Sequence, residues 1–90
     1  MNFLHKVLDL GDGDMVEVTL TSAANVQLLD DENYKHYSQN KHYQYHGGYG
    51  DVSPVTLATP RAGRWHLVID LGGGVGRVSA TVRIVSAQTA

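Results

Sequence analysis

Residues 65–71, with the sequence WHLVIDL, are the segment that decides the fold class. Every second side chain from the tryptophan onward is large and apolar: Trp65, Leu67, Ile69 and Leu71. The opposite face, which starts one residue earlier, carries Arg64, His66, Val68 and Asp70. Side chains that alternate with a period of two are typical of a β-strand with one face in the core. The segment is therefore predicted to be a central strand that buries Trp65.

The same alternation recurs on both sides of this strand. It predicts further strands over residues 3–8, 15–21, 25–29, 41–46, 55–58 and 77–84. Turn residues separate them, and we expect hairpins at Gly11, Asp12 and Gly13 and at Gly72, Gly73, Gly74 and Gly76. Asp31 or Asn33 could cap at most one short helical turn. The pattern predicts an all-β fold, a small antiparallel β-sandwich of jelly-roll type with about seven to eight short strands.

Length and composition restrict the class of protein further. Ninety residues predict one domain, which we place at residues 1–85, with a frayed tail at residues 86–90. The absence of cysteine excludes disulfides and thiolate metal sites, and a net charge of −2 gives no attraction to nucleic acid. No apolar run suits a signal peptide or a membrane span. We therefore expect a cytoplasmic, non-enzymatic domain that contacts neither nucleic acid nor membrane.

Charge is unevenly distributed along the chain. Seven acidic residues and no lysine or arginine lie between residues 7 and 34: Asp9, Asp12, Asp14, Glu17, Asp30, Asp31 and Glu32. The last third carries Arg61, Arg64, Arg77 and Arg83. We expect these groups to complement one another across the folded surface or between protomers.

Five histidines in a short chain raise the question of a metal site. On a strand, His42 and His46 share a face about 13 Å apart, which is too far for one tetrahedral ion. A site built from His36, His46 and an acid of residues 30–32 stays open as the alternative. Histidines in contact with solvent on a sheet face are favoured, so no metal, cofactor or catalytic residue is predicted.

Residues 34–49 have the most unusual composition, with all five tyrosines, three histidines and two lysines. Tyrosine combines a flat apolar ring with a hydroxyl group, a combination common in recognition surfaces. The candidate binding residues are Tyr34, His36, Tyr37, Tyr45, His46 and Tyr49. A structural alternative carries near-equal weight, with Tyr43 and Tyr45 in the core and Tyr37 closing one end of the sandwich.

Three stretches carry a resemblance that covers nearly the whole chain. They are LGDGDMVEVTL with AANVQLLD at residues 10–30, PRAGRWHLVIDLGG at residues 60–73 and GRVSATVRI at residues 76–84. With these stretches the chain resembles the eighteen-eighty-three family of bacterial domains of unknown function, small all-β modules found alone or joined to a TIR-like domain. The resemblance implies the all-β fold, but it transfers no activity and no catalytic residue.

The sequence thus predicts a binding or interaction module without fixing its ligand. The partner is expected to be a protein or a small ligand bound by the Tyr- and His-rich segment, and association with a second copy stays open. The alternative is a β-sandwich that senses a small ligand or a carbohydrate. Tyrosines that line a concave pocket favour a small ligand, whereas tyrosines on a flat patch favour a protein partner.

Overall fold

The computed structural model describes residues 3–72 and 76–86, which form two antiparallel sheets and one helix. The elements are β1 (Phe3–Leu10), β2 (Met15–Leu20), β3 (Ala24–Leu29), α1 (Asp31–Ser38), β4 (His46–Gly50), β5 (Val55–Ala58), β6 (Gly63–Asp70) and β7 (Ala80–Val85). The four-stranded sheet has the order β1-β6-β3-β4, and the three-stranded sheet has the order β5-β2-β7. The all-β sandwich is confirmed, whereas its jelly-roll type stays a prediction.

The core lies between the two sheets, with β6 at its centre as predicted. Trp65 is only 2% exposed, and Leu67 and Ile69 are buried beside it. Register partners share a face of a sheet, so Leu28 opposite Leu67 extends the same layer into β3. The three-stranded sheet closes the core with Val16, Val18 and Leu57. Burial of each large apolar side chain stabilises the fold by about 1.5–3 kcal/mol.

Both predicted hairpins are wrong. β1 pairs with β6 in one sheet, whereas β2 pairs with β5 and β7 in the other. The turn at Gly11 therefore carries the chain between sheets, and the Asp14 carboxylate accepts a 2.8 Å hydrogen bond from the Gly11 amide. The glycine-rich segment after β6 likewise leads to the other sheet, although Gly73 and Gly74 lie outside the described residues. Turn residues specify a reversal of the chain, but they do not specify which strands then pair.

The helix α1 is longer than the single predicted turn. Its N-cap is Asp30, whose carboxylate accepts a 2.8 Å hydrogen bond from the Asn33 amide, so neither Asp31 nor Asn33 is the cap. It ends at Ser38 with Gln39 as the C-cap, Asn40 follows with φ of 57°, and the Lys41 amide donates to the His36 carbonyl oxygen at 2.9 Å. No helix in residues 3–72 or 76–86 has the length and apolar character needed to cross a membrane.

The predicted strand over residues 41–46 is also wrong, because that stretch is irregular up to its last residue. Pairing with β3 starts at His46 and runs to Gly50, through a glycine-rich stretch that lies beyond the predicted strand. The close approach of the β3 and β4 backbones explains why residue 47 is a glycine. A Cβ atom at Gly47 would lie 2.2 Å from the Val26 carbonyl oxygen, and its φ is 123°.

The uneven charge distribution resolves into ion pairs across the surface, which confirms that prediction. The pairs are Arg61 with Asp30 at 3.4 Å, Arg64 with Asp31 at 3.0 Å and Arg83 with Glu17 at 3.6 Å. All three arginines are well exposed, so each pair contributes less than about 1 kcal/mol. The predicted tail falls outside the described residues from residue 87 onward.

Candidate functional site

The outer face of the four-stranded sheet, which points away from the sandwich core, is covered by α1. On this face Val68 and Leu29 pack against Tyr37 of the helix in a second, small apolar cluster. His66 lies on the same face and is only 9% exposed. The expectation of solvent-exposed histidines on the sheet is therefore wrong for His66, because the helix covers the strand that carries it.

Two imidazoles connect β1, β6 and α1 at one side of the helix. His5 Nε2 lies 2.8 Å from His66 Nδ1, and His66 Nε2 lies 2.5 Å from Asp31 Oδ1. The ring of Tyr34 stacks on both imidazoles, with centroid distances of 4.1 Å to His5 and 4.3 Å to His66. We call His5 and His66 the imidazole pair.

The charges around the imidazole pair fix the direction of its hydrogen bonds. Hydrogen bonds from Arg64, and then from His66, lower the pKa of Asp31 to about 2, so this carboxylate is ionised and can only accept. His66 therefore donates from Nε2, and its other nitrogen accepts from His5 when both rings are neutral. Burial, and then the neighbouring His66, lowers the pKa of His5.

On the other side of the helix, Asp70 collects three donors. It accepts from the Tyr37 hydroxyl at 2.7 Å, from Asn25 Nδ2 at 2.9 Å and from the Gly72 amide at 2.9 Å. Burial, and then the bond to Asp70, raises the pKa of Tyr37, so its hydroxyl stays a neutral donor. These bonds fix the positions of α1, β3 and the backbone after β6 relative to the Asp70 side chain.

A groove of about 470 Å³ opens above this network. It is lined by Asn25, Gln27, Tyr37, Asn40, Lys41, Tyr43, Asp70 and Gly72. The Tyr43 hydroxyl donates to Gln27 Oε1 at 3.1 Å, which fixes the orientation of that amide. Within residues 3–72 and 76–86, neither Gln27 Nε2 nor Asn25 Oδ1 takes part in a hydrogen bond. The groove therefore presents a preoriented donor and a preoriented acceptor, and Lys41 is a further lining residue.

The structure separates the six predicted binding residues into two places. Tyr34, His36 and Tyr37 lie on α1, where Tyr37 is buried and the other two are half-buried. Tyr45 is 47% exposed and Tyr49 is 70% exposed.

His46 is exposed as well, and its ring lies 5.7 Å from that of Trp65. His46 is the register partner of Leu28 in the core, whereas Tyr49 is the partner of Asn25 on the outer face, so His46 and Tyr49 lie on opposite faces of β4. We call the exposed Tyr45 and Tyr49 the aromatic patch.

The alternative that placed Tyr43 and Tyr45 in the core, with Tyr37 closing one end of the sandwich, is wrong. Neither Tyr43, half-buried in the groove, nor the exposed Tyr45 belongs to the core between the sheets. Tyr37 is buried, but it lies beneath α1 on the outer face of the sheet instead of closing an end of the sandwich.

Sequence reasoning missed most of the groove. Asn25 and Gln27 occupy alternate positions of β3, and their polarity on a strand of the main sheet was an available signal. Nothing in the sequence shows that α1 and the segment after it would turn this face into a concave site.

The described residues contain no group of three or more His, Asp or Glu side chains that could hold a metal ion. His36 lies on α1 and His46 begins β4, so the two histidines of the open metal alternative occupy different elements.

The family described as "Domain of unknown function (DUF1883)" matches residues 1–88. The chain belongs to this family. No curated protein and no solved structure matches it. The family description assigns no activity to DUF1883 domains.

Proposed function

We propose that the domain is a non-enzymatic binding module that takes a small, uncharged polyhydroxylated molecule, such as a saccharide, into the groove beside α1. The observation that carries the proposal is the pairing of two tyrosines with two fixed amide side chains around a concave site. Its volume of about 470 Å³ falls within the range of small-molecule sites.

The chemistry of the lining favours hydroxyl groups. A sugar hydroxyl both donates and accepts, so it can satisfy Gln27 Nε2 and Asn25 Oδ1 at the same time. The half-buried ring of Tyr43 offers apolar surface to the C–H groups of a sugar ring. The Asp70 carboxylate is already bound by three donors, which argues against a role as a free base and in favour of binding.

Nuclear magnetic resonance can test the groove with a panel of monosaccharides and disaccharides at millimolar concentration. We expect amide shift changes confined to residues 25–27, 37–43 and 70–72. Lys41→Ala removes an exposed charged group of the lining and is expected to weaken binding about tenfold, since a hydrogen bond to a charged group contributes about 1.5–3 kcal/mol.

Lys35→Ala is the matched control, because Lys35 is also an exposed lysine but lies outside the groove lining. It should leave saccharide affinity unchanged. The proposal is wrong if no saccharide shifts a groove amide, or if the shifts centre on the aromatic patch.

A second candidate is recognition of an extended peptide at the aromatic patch. β4 pairs only with β3 among the described strands, so its other edge is open to an added strand. Tyr45 and Tyr49 flank this glycine-rich edge with exposed rings. Screening unstructured peptides against the wild type and Tyr49→Ala tests this candidate, with the amides of residues 46–50 as the readout.

A further inference from the structure

The sandwich is closed along one side and open along the other. On the closed side, residues 51–54 join β4 to β5, and the two strands come close together: a Cβ atom at Gly50 would lie 2.4 Å from Val55 Cγ2. On the open side, β1 and β7 are the edge strands of their sheets and do not pair with each other. The open side therefore leaves an edge of the core accessible.

Two large apolar side chains show this exposure. Leu4 of β1 is exposed although its register partner Ile69 is buried in the core, and Ile84 of β7 is exposed although its partner Val16 is fully buried. Register partners share a face of a sheet, so Leu4 and Ile84 both point between the sheets. A ligand with an apolar chain would remove such surface from water.

A cleft runs between the two sheets at this side. It consists of two adjoining cavities of about 280 and 210 Å³, which share Leu4 and Ile69 as lining residues. Together they reach the size of small-molecule sites, which is roughly 300–1,000 Å³. We call this cleft the edge cleft, and its apolar wall is formed by Leu4, Leu67, Ile69, Val78, Ala80 and Val82.

The edge cleft also carries positive charge. Lys6 lines one cavity and Arg77 the other, and neither forms an ion pair among the described residues. Lys6 is opposite Leu67 in the register, so its side chain starts on the inner face of β1. The acid of the lining, Asp70, points to the outer face, where three donors bind its carboxylate. The edge cleft therefore combines an apolar wall with cations that have no acidic partner among the described residues.

The inward position of Lys6 discriminates between possible occupants. A strand added to β1, from a second copy or from another protein, would place apolar side chains over Lys6, and an inward-pointing charge on an edge strand opposes such pairing. A single-chain amphiphile with an anionic head group avoids this conflict. Its chain can cover the apolar wall while the head group meets the lysine ammonium group at the solvent edge.

We propose that the edge cleft binds a medium-chain fatty acid, with the alkyl chain against Leu4, Ile69 and Val82 and the carboxylate on the Lys6 ammonium group. Removal of the chain from water supplies the affinity, and the ion pair sets the orientation of the ligand. This site does not depend on the proposed saccharide groove, because Asp70 is the single lining residue that the groove shares with it.

Nuclear magnetic resonance with decanoate, below its micelle concentration, tests the site directly. We expect nuclear Overhauser contacts between the decanoate methylene protons and the methyl groups of Leu4, Ile69 and Val82. Affinity should rise about tenfold from octanoate to decanoate, because two more methylene groups leave water. The absence of these contacts overturns the proposal. Shifts in β1 and β7 that depend on protein concentration alone would identify a second copy as the occupant and overturn it as well.

The role of the lysine is measured by calorimetric titration of decanoate beside the uncharged decanol. The wild type should bind decanoate about fivefold more tightly than decanol, since an exposed ion pair is weak. This preference should vanish in Lys6→Met, which keeps the apolar stem but removes the charge. Lys35→Met is the matched control and should retain the preference, because Lys35 is an exposed lysine outside the edge cleft. An unchanged preference in Lys6→Met would contradict the assigned orientation.

The apolar wall has a separate test in Leu4→Ala, which should weaken decanoate binding about fivefold by removing contact area. Val7→Ala is the control, because Val7 is also exposed on β1 but shares the outer face with its register partner His66. Thermal unfolding checks that both variants stay folded, as expected for exposed positions. Equal decanoate affinity of the two variants contradicts binding in the edge cleft.

Discussion

The two faces of β6 belong to one strand but are stabilised by different kinds of interaction. The inner face is dry and apolar, with Trp65, Leu67 and Ile69 packed between the sheets. The outer face carries His66, Val68 and Asp70 beneath α1, where each polar group has defined partners. Stability on the inner face comes from burial, which needs no particular orientation. On the outer face it depends on directional bonds that must all be made at once, and this is the face where ligand chemistry can arise.

Truncation on the inner face should give the largest effect. Trp65→Ala removes the largest buried side chain and should lower the free energy of unfolding by about 3–5 kcal/mol. Because the free energy of unfolding of a protein domain is only about 5–15 kcal/mol in total, the variant should be close to unfolded. Urea denaturation followed by circular dichroism measures the change, with Trp65→Phe as the milder comparison. A loss below about 1 kcal/mol would contradict a core role, since burial of a large side chain contributes more.

Removal of one directional bond on the outer face should have a smaller effect. Tyr37→Phe deletes only the hydroxyl that donates to Asp70, and we expect a loss of about 1.5–3 kcal/mol because the acceptor is a carboxylate. Tyr43→Phe deletes the weaker bond to Gln27 and should lose about 0.5–1.5 kcal/mol. Equal stability of the two variants would contradict a larger contribution from the bond to the Asp70 carboxylate than from the bond to the Gln27 amide.

Acid titration should resolve a still smaller contribution from the edge of the outer face. The pKa of Asp31 is lowered from its usual 3.8 to about 2, so the folded state favours the ionised form. The resulting stabilisation is present above pH 3.8 and is lost as the pH falls towards 2. Asp31→Asn should therefore flatten the fall in melting temperature over this range. Glu32→Gln is the control, since Glu32 forms no ion pair among the described residues.

The smallest effect is expected at the aromatic patch, which belongs to neither packed layer. Tyr49→Ala should change the free energy of unfolding by less than about 0.5 kcal/mol, because its ring is 70% exposed. Thermal unfolding of the variant beside the wild type is sufficient to measure this. A marked destabilisation would show that the ring supports the strand pairing of β4, and the patch could no longer be regarded as a free surface.

Much of the inner face could be predicted from the sequence, and little of the outer face could. Alternation located β2, β3, β5, β6 and β7 to within a few residues, because a strand imposes its period of two on neighbouring residues. The predicted strand over residues 41–46 failed because the chain must first leave α1 and reach the edge of β3. The helix itself was underestimated, since its support comes from packing on Leu29 and Val68 and only partly from local propensity.

The candidate site was predictable only as a region. Composition singled out residues 34–49, but it could not separate Tyr37 and Tyr43, which line the groove, from Tyr45 and Tyr49, which do not. The imidazole pair could not be found from spacing, because His5 and His66 are 61 positions apart. Their meeting depends on β1 pairing with β6, and no turn residue encodes that choice.

By itself, the sequence determined that this chain forms strands, which of their faces is apolar, and that Trp65 is in the core. These properties follow from the period of the strand and the cost of exposing apolar surface, and both act on residues that are near neighbours. The tertiary structure alone decided which strands share a sheet, what covers the polar face of β6, and that a groove and an imidazole pair form there. These features depend on contacts between distant segments, and their free energy is gained only when the whole chain is packed.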